Sequence, residues 1–330
     1  AEECDDPECD DPDELRRVND AADGLIAQLR SLARSHGAPT PYYAMLFADG
    51  DRMGELLDGI LTHNAGANAM SRHQAVSQAL SRFAQGVPRV VNKFSGAAIY
   101  SGGDDVLALV PLNRAVGCAK ALAEKFAQCL QPFATQPNAQ QPSLSVGLAI
   151  AHFMEPLGDV RRQAERALEL AKGNNLQVPP ERKRNALGII VKPRGASEIK
   201  TRMRWDEVEP FCHLQEWVKQ LSDAKAADAL PNGLPHEIVD TFAKAAQIFG
   251  KDNTATSTST LELYRALLSR TLRQKRHPHT GDPLAQAVRD DLLNDLAGPK
   301  MSLDEAREAA NRLVLARWFA LRKDPDRSEG

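Results

Sequence analysis

Between residues 42 and 191, short apolar runs alternate with longer amphipathic segments, and their order admits few folds. Tyr42 to Ala48 reads as a buried strand that runs into the turn Asp49-Gly50-Asp51. Residues 71–87 place Ala75, Val76, Ala79, Leu80, Phe83 and Ala84 at helical spacing. Two more strands follow, Ala97 to Tyr100 and Val106 to Val110, joined by the tight turn Ser101-Gly102-Gly103-Asp104 as a hairpin. A helix over 114–130, a Gln/Pro-rich loop, a strand from Leu144 to Phe153, a helix over 158–172 and a strand from Ala186 to Val191 complete the series. The order is β-α-β-β-α-β-α-β. Its first six elements are those of the ferredoxin-like unit, an antiparallel sheet with helices on one face. In that unit the first strand lies beside the hairpin, so the two acidic turns share one end of the sheet.

After about residue 205 no strand pattern recurs. Helical periodicity appears at 205–221, 234–249, 260–274, 284–297 and 302–322, with breakers between. The Ser302 to Glu305 spacing is a capping-box signal. The expected class is therefore α+β followed by an all-α region. The expected divisions are an acidic tail and helix over 1–38, the α+β domain over 39–204 and the helical domain over 205–330.

Composition narrows the function. With 42% hydrophobic and 26% charged residues in 330, the chain suits two folded domains and not wholesale disorder. No apolar run approaches the roughly 20 residues that span a bilayer, so no membrane partner is expected. A net charge of −3 and a pI near 6.3 exclude a globally basic nucleic-acid binder and leave room for local patches. Cysteines 4, 9, 118, 129 and 212 are odd in number and form no disulfide framework, which points to a reducing cytoplasm. Residues 1–14 are almost wholly acidic and read as a solvated tail, with Cys4 and Cys9 as a minor alternative, the remnant of a zinc site. The chain starts on Ala1, as expected of a piece of a longer or processed protein.

Chemistry concentrates in the acidic turns. Asp49, Asp104 and Asp105, meeting at one sheet end, are hard oxygen ligands for Mg²⁺ or Mn²⁺. Close carboxylates raise one another's pKa unless a cation relieves the repulsion. Two metals there would draw in a nucleoside triphosphate, activate a hydroxyl and stabilise leaving pyrophosphate. Gly102 and Gly103 permit positive φ and close approach to phosphates; Gly50 and Gly54 lie near a helix start that offers backbone N–H groups. The competing reading is that Gly-Gly-Asp-Asp is only a hairpin turn, since such turns favour these residues.

Tyr42 to Gly54 (YYAMLFADGDRMG) resembles the first palm motif of the large subunit of type III CRISPR effector complexes, the Cmr (III-B) branch in particular. Ser77 to Phe83, Tyr100 to Leu109 (YSGGDDVLAL) and Val146 to His152 extend the likeness over roughly residues 40–200. The resemblance implies a polymerase/cyclase palm that converts ATP to cyclic oligoadenylate when the complex holds target RNA, in antiviral defence. It puts the metal-binding and catalytic carboxylates on Asp49, Asp104 and Asp105, with the Gly50 carbonyl completing a metal site. It further implies CRISPR RNA, target RNA and other effector subunits as partners. Such large subunits usually carry a nuclease domain with a His-Asp motif and a first, degenerate palm; this chain has no His-Asp dipeptide and resembles the C-terminal part.

Weaker candidates accompany these. Asp51, in the first turn, is a candidate nucleotide contact beside Gly50 and Gly54. Lys183 and Arg184 precede the last palm strand, where a cation meets a triphosphate or lies on a solvated face. Ser77 reads a base edge or ribose, or is helix surface. His73 and His152 read as structural. Two basic stretches, Arg194-Lys200-Arg202-Arg204 and Arg270-Arg273-Lys275-Arg276-His277-His279, track a nucleic-acid backbone or are solvated ends. Trp205, Trp217 and Trp318 fall on apolar helix faces and read as core. Three other functions stay open. A diguanylate cyclase shares the architecture, although Val106 stands where its signature has Phe; a template-directed polymerase and a silent RNA- and subunit-binding scaffold are the others.

Overall fold

The computed structural model describes residues 20–28, 30–31, 40–63, 67–133, 141–174, 176, 178–193, 198–249 and 254–320. The expected N-terminal helix is seen over 20–28 and 30–31, in a unit of its own, with Leu25 and Ile26 exposed. The acidic run, Cys4, Cys9 and Arg194 lie outside the described residues.

From Tyr42 onward the described residues pack as one compact unit. Strands β1 (Tyr42–Gly50), β2 (Ala97–Gly102), β3 (Asp105–Pro111), β4 (Leu144–His152), β5 (Ala186–Val191) and β6 (Ile199–Arg204) make a single sheet in the order β2-β3-β1-β4-β5-β6. The first four form the ferredoxin-like arrangement, all antiparallel, with β1 central beside the hairpin.

Helices α1 (Met53–His63), α2 (Ala67–Lys93) and α3 (Ala115–Leu130) follow β1 and the hairpin. The alternation along each strand decides which residues meet the helices. Ala44, Leu46 and Ala48 of β1 and Val106, Ala108 and Val110 of β3 share a core with Val76, Ala79 and Phe83 of α2 and Leu122 and Phe126 of α3. Phe83 and Phe126 meet edge to face with ring centroids 5.0 Å apart.

The expected one-sided helix cover does not extend to β1 and β4, which are packed on both faces. Helix α4 (Leu157–Lys172) crosses to the opposite face, where Val160 and Ala164 pack on Met45, Ala149 and Ala151. It leads into β5, which pairs parallel with β4. Gly147 and Gly188 are partners in that pair, and a Cβ on either would strike the α4 backbone at Ala164 or Ala167. Their missing side chains let the helix lie directly on the sheet. Cover by α4 reaches β1, so Tyr43, Phe47, Leu107 and Leu109 on the same face stay only partly buried.

Several elements depart from the sequence reading. Strand β6 was read as part of a basic stretch; its period-two alternation buries Thr201 and Met203. Helix α1 begins at the helix start read near Gly54, but its extent was not anticipated. Helix α2 runs past Pro88, where a stop was expected. Proline leaves the Ala84 carbonyl without its helical donor, and the Ser101 hydroxyl supplies one at 2.7 Å. The defect in the helix thus becomes the tether of the hairpin.

Helices α5 (Val208–Ser222), α6 (Leu234–Phe249), α7 (Thr254–Gln274), α8 (Gln286–Ala297) and α9 (Leu303–Ala320) follow the sheet. Helix α7 begins within the Thr/Ser run 254–260, read as a breaker; burial of Thr260 shows packing overriding weak propensity. Helix α9 is buried on most sides through Ala309, Ala310, Leu313, Val314 and Ala316. Its core is continuous with that of the sheet. Trp217 and Trp318 are core residues, and the half-buried Trp205 indole donates to the Leu144 carbonyl at 2.9 Å. No helix among the described residues is long and apolar enough to cross a membrane.

Candidate active site

Strand register brings the two acidic turns together. Ala48 stands opposite Val106 in the antiparallel pair, and continuing that register sets Asp49 across from Asp105 and Gly50 across from Asp104. Gly50 confirms the closeness: a Cβ there would lie 2.7 Å from Asp104 Cβ and 2.9 Å from Phe126 Cζ. Only glycine fits at that crossing. In the hairpin turn Gly103 has φ +66, whereas Gly102 does not adopt positive φ; the Tyr100 phenol folds over Gly102 and would meet a Cβ there.

The three carboxylates are electrostatically coupled. Burial, a hydrogen bond with Asp49 and the charges of Asp49 and Asp104 push Asp105 up to about 6. Asp104 is raised as well, first by burial and then by Asp49. Opposing this, the Lys172 ammonium at the end of α4 lies 2.8 Å from Asp49 Oδ2. Lys172 was missed in the sequence, because a lysine in a last helical turn is ordinary dipole compensation.

Asp51 needs correction as a nucleotide contact. Its carboxylate is buried and accepts from Ser143 Oγ and Ser145 Oγ, each at 2.7 Å, and from the Asn185 backbone N–H at 3.0 Å. Arg184 Nη1 lies 3.6 Å away. Burial raises its pKa, and these donors oppose the rise. Asp51 therefore clamps the first turn to the segment before β5. In that segment Arg184 and Asn185 both hold left-handed backbone, φ +65 and +49, strain that the clamp offsets. The Arg184 N–H also donates to the Lys172 carbonyl at 3.0 Å, so Lys172, Lys183 and Arg184 belong to one joined stretch.

Two clefts flank the carboxylates. A groove of about 520 Å³ runs between α2 and the hairpin, lined by Ser77, Ser81, Ala84, Gln85, Ser101 and Gly103 among others. This places the exposed Ser77 beside the Gly-Gly turn. On the opposite face a cleft of about 850 Å³ is lined by Phe47, Asp49, Gln163, Leu168, Lys172 and Lys192 among others. Gly54, exposed at the start of α1, has nothing within 4 Å of a Cβ position.

The donor set fits a hard divalent cation: carboxylate oxygens brought together where a glycine lets the two turns approach. Among the described residues, however, no group of three or more His, Cys, Asp or Glu side chains is arranged to hold a metal ion as it stands. A lysine ammonium already neutralises Asp49.

The basic stretches behave differently from expectation. Arg202 and Arg204 turn inward: Arg204 forks onto Asp206 at 2.8 and 2.6 Å and donates to the Glu181 carbonyl, while Arg202 binds backbone carbonyls. Lys200 pairs with Glu198. Arg202 and Arg204 are thus taken up by internal partners, while Lys200 stays exposed. In the second stretch Lys275 pairs with Glu237 and His277 Nε2 bonds to the Ala226 carbonyl, leaving Arg270, Arg273, Arg276 and His279 exposed. His152 packs against Tyr42 at the sheet end away from the carboxylates, a structural place.

The strand order β2-β3-β1-β4 with helices packed on it is a palm-type α+β arrangement. Residues 42–186 match the family model described as Cas10/Cmr2, second palm domain. The matched segment is somewhat less than half of the chain, which is thus similar to the large subunits of type III CRISPR effector complexes. It is 28% identical over 227 residues to the CRISPR system Cmr subunit Cmr2 of Pyrococcus furiosus, covering 63% of this chain and 24% of that protein. The Cmr2 subunit of Saccharolobus solfataricus is 34% identical over 115 residues, 30% of this chain and 11% of that one. The chain thus spans a quarter or less of the length of these curated relatives. Among solved structures, the apo type III-B Cmr-beta complex aligns over 90% of this chain and 40% of its own, with 15% identity and a TM-score of 0.49.

Proposed function

We propose that this chain carries the catalytic palm of a type III effector large subunit and makes cyclic oligoadenylate from ATP when the assembled complex holds target RNA. The observation that carries this reading is the convergence of Asp49, Asp104 and Asp105 from two turns beside Lys172. Asp49, Asp104, Asp105 and the Gly50 carbonyl would hold Mg²⁺ or Mn²⁺. When bound, the metal supplies Lewis-acid stabilisation of the attacked phosphate and of leaving pyrophosphate.

The chain's own residues divide the remaining work. The adenine and ribose lie in the groove along α2, where Ser77 and Gln85 offer hydrogen bonds. The positive-φ turn at Gly103 lets the backbone approach the phosphates. Lys172, Lys183 and Arg184 receive the triphosphate charge, with Lys172 exchanging its carboxylate partner for phosphate oxygen. The partly buried face carrying Tyr43, Phe47, Leu107 and Leu109 is where a first palm would complete the site. The helical region after the sheet, which shares its core rather than forming the separate domain expected, would meet partner subunits and RNA. The complex acts in the cytoplasm.

Asp104→Ala and Asp105→Ala, tested together in the assembled complex with target RNA, are expected to abolish oligoadenylate formation; unchanged product would sink the assignment. Supplying labelled GTP beside ATP separates a diguanylate cyclase, and primer extension separates a polymerase.

A further inference from the structure

Arg202 lies in the middle of β6, yet its guanidinium serves another part of the chain. Nε donates to the Ala171 carbonyl at 2.9 Å. Nη2 donates to the carbonyls of Arg182 at 2.7 Å and Arg184 at 3.1 Å. Those oxygens belong to the last turn of α4 and to the segment before β5, the two stretches that carry Lys172, Lys183 and Arg184. The guanidinium also lies over Gly173, the left-handed cap of α4, where a Cβ would meet Arg202 Cζ at 3.6 Å.

The backbone of Arg202 is held from the other side. Its N–H donates to Glu308 Oε2 at 3.2 Å, and the same oxygen accepts from Thr201 Oγ1 at 2.8 Å. Glu308 belongs to α9. Asn311, one turn further along α9, donates to the Lys200 carbonyl at 3.0 Å.

A segment with two successive left-handed residues that are not glycine does not keep its shape unaided, since each costs about 1 kcal/mol or more. Arg184 and Asn185 are such a pair. Three carbonyls converging on one planar guanidinium over-determine their placement, because the fork's donors have fixed directions. Lysine, with a single flexible ammonium, cannot reproduce that geometry.

We propose that Arg202, anchored by Glu308 of α9, is a positioning residue that sets Lys172, Lys183 and Arg184 to receive a nucleoside triphosphate. The proposal rests on the reading of the acidic turns as a nucleotide site. It also gives the helical region a direct mechanical connection to the phosphate side of that site.

The test uses the full chain and the variants Arg202→Gln, Arg202→Lys and Glu308→Gln. Binding of ATP with Mg²⁺ and of adenosine is measured by calorimetry, and amide hydrogen exchange is followed over residues 172–185. Arg202→Gln is expected to weaken ATP binding about tenfold, as loss of an orienting partner typically does, and to leave adenosine binding unchanged. Arg202→Lys should fall between Gln and the native residue, and Glu308→Gln should shift in the same direction by less. The amides of Arg184 and Asn185 should exchange faster in each variant. Equal loss for ATP and adenosine would mark general destabilisation and overturn the proposal, as would native ATP affinity with unchanged exchange. Where Arg202→Gln does not fold, the other two variants decide. A native chain that binds no ATP sinks the nucleotide reading alone; exchange over 172–185 then still decides whether Arg202 positions the segment.

Discussion

At Gly50 one absent methyl group decides whether two turns can meet. A Cβ would press on Asp104 Cβ at 2.7 Å and on Phe126, which is fully buried against Phe83. Gly50→Ala is expected to cost about 1–3 kcal/mol in denaturant unfolding, as overpacking does, and to remove metal-dependent ATP binding in the same preparation. The three carboxylates were legible because Asp and Gly clustered at the ends of apolar runs. Asp51 was not, since nothing in Asp-Gly-Asp reveals which carboxylate turns inward; Ser143 and Ser145, more than ninety positions away, decide it. Lys172 was hidden for the opposite reason: its local setting explained it fully.

Among the elements, the hairpin depends on a flaw in its neighbour. Ser101 satisfies the Ala84 carbonyl that Pro88 leaves free. Ser101→Ala should therefore cost about 1 kcal/mol, and the loss should shrink when Pro88→Ala restores a helical donor. Equal losses in both backgrounds, read from a double-mutant cycle of unfolding free energies, would show that the tether carries no weight. Helix α9 offers a second test. Ser302 and Glu305 form a capping box, with the Ser302 N–H donating to Glu305 Oε2 at 2.7 Å and the Glu305 N–H to Ser302 Oγ at 3.2 Å. The Ser302 backbone donor holds the Glu305 carboxyl below its ordinary value of 4.5. A depressed carboxyl contributes stability above its unfolded value and loses it as pH falls through the folded one. Glu305→Gln should accordingly be less stable than the native chain at pH 7, and the difference should vanish in strong acid. This cap was readable from its three-residue spacing. Strand β6 was not, because Lys200, Arg202 and Arg204 made an alternating strand look like a charged surface run, and only the carbonyls that Arg202 and Arg204 meet show otherwise.

Across the whole molecule, the sheet and the five helices after it share one continuous core, from Phe83 and Leu148 through Trp217 to Leu313. Glu308 and Asn311 add polar contacts between α9 and β6. A single calorimetric transition is expected for residues 42–320, with calorimetric and van't Hoff enthalpies equal; two resolved transitions would show that the palm and the helical region fold independently. The periodicity switch near residue 205 announced where strands end, but periodicity reports faces and not which neighbour covers them. Lys172 has a last implication. Because an internal ammonium already balances Asp49, the native conformation can assemble before any divalent ion arrives. Starving the chain of magnesium should then yield an idle but intact protein, ready to be switched on by its ions without being refolded by them.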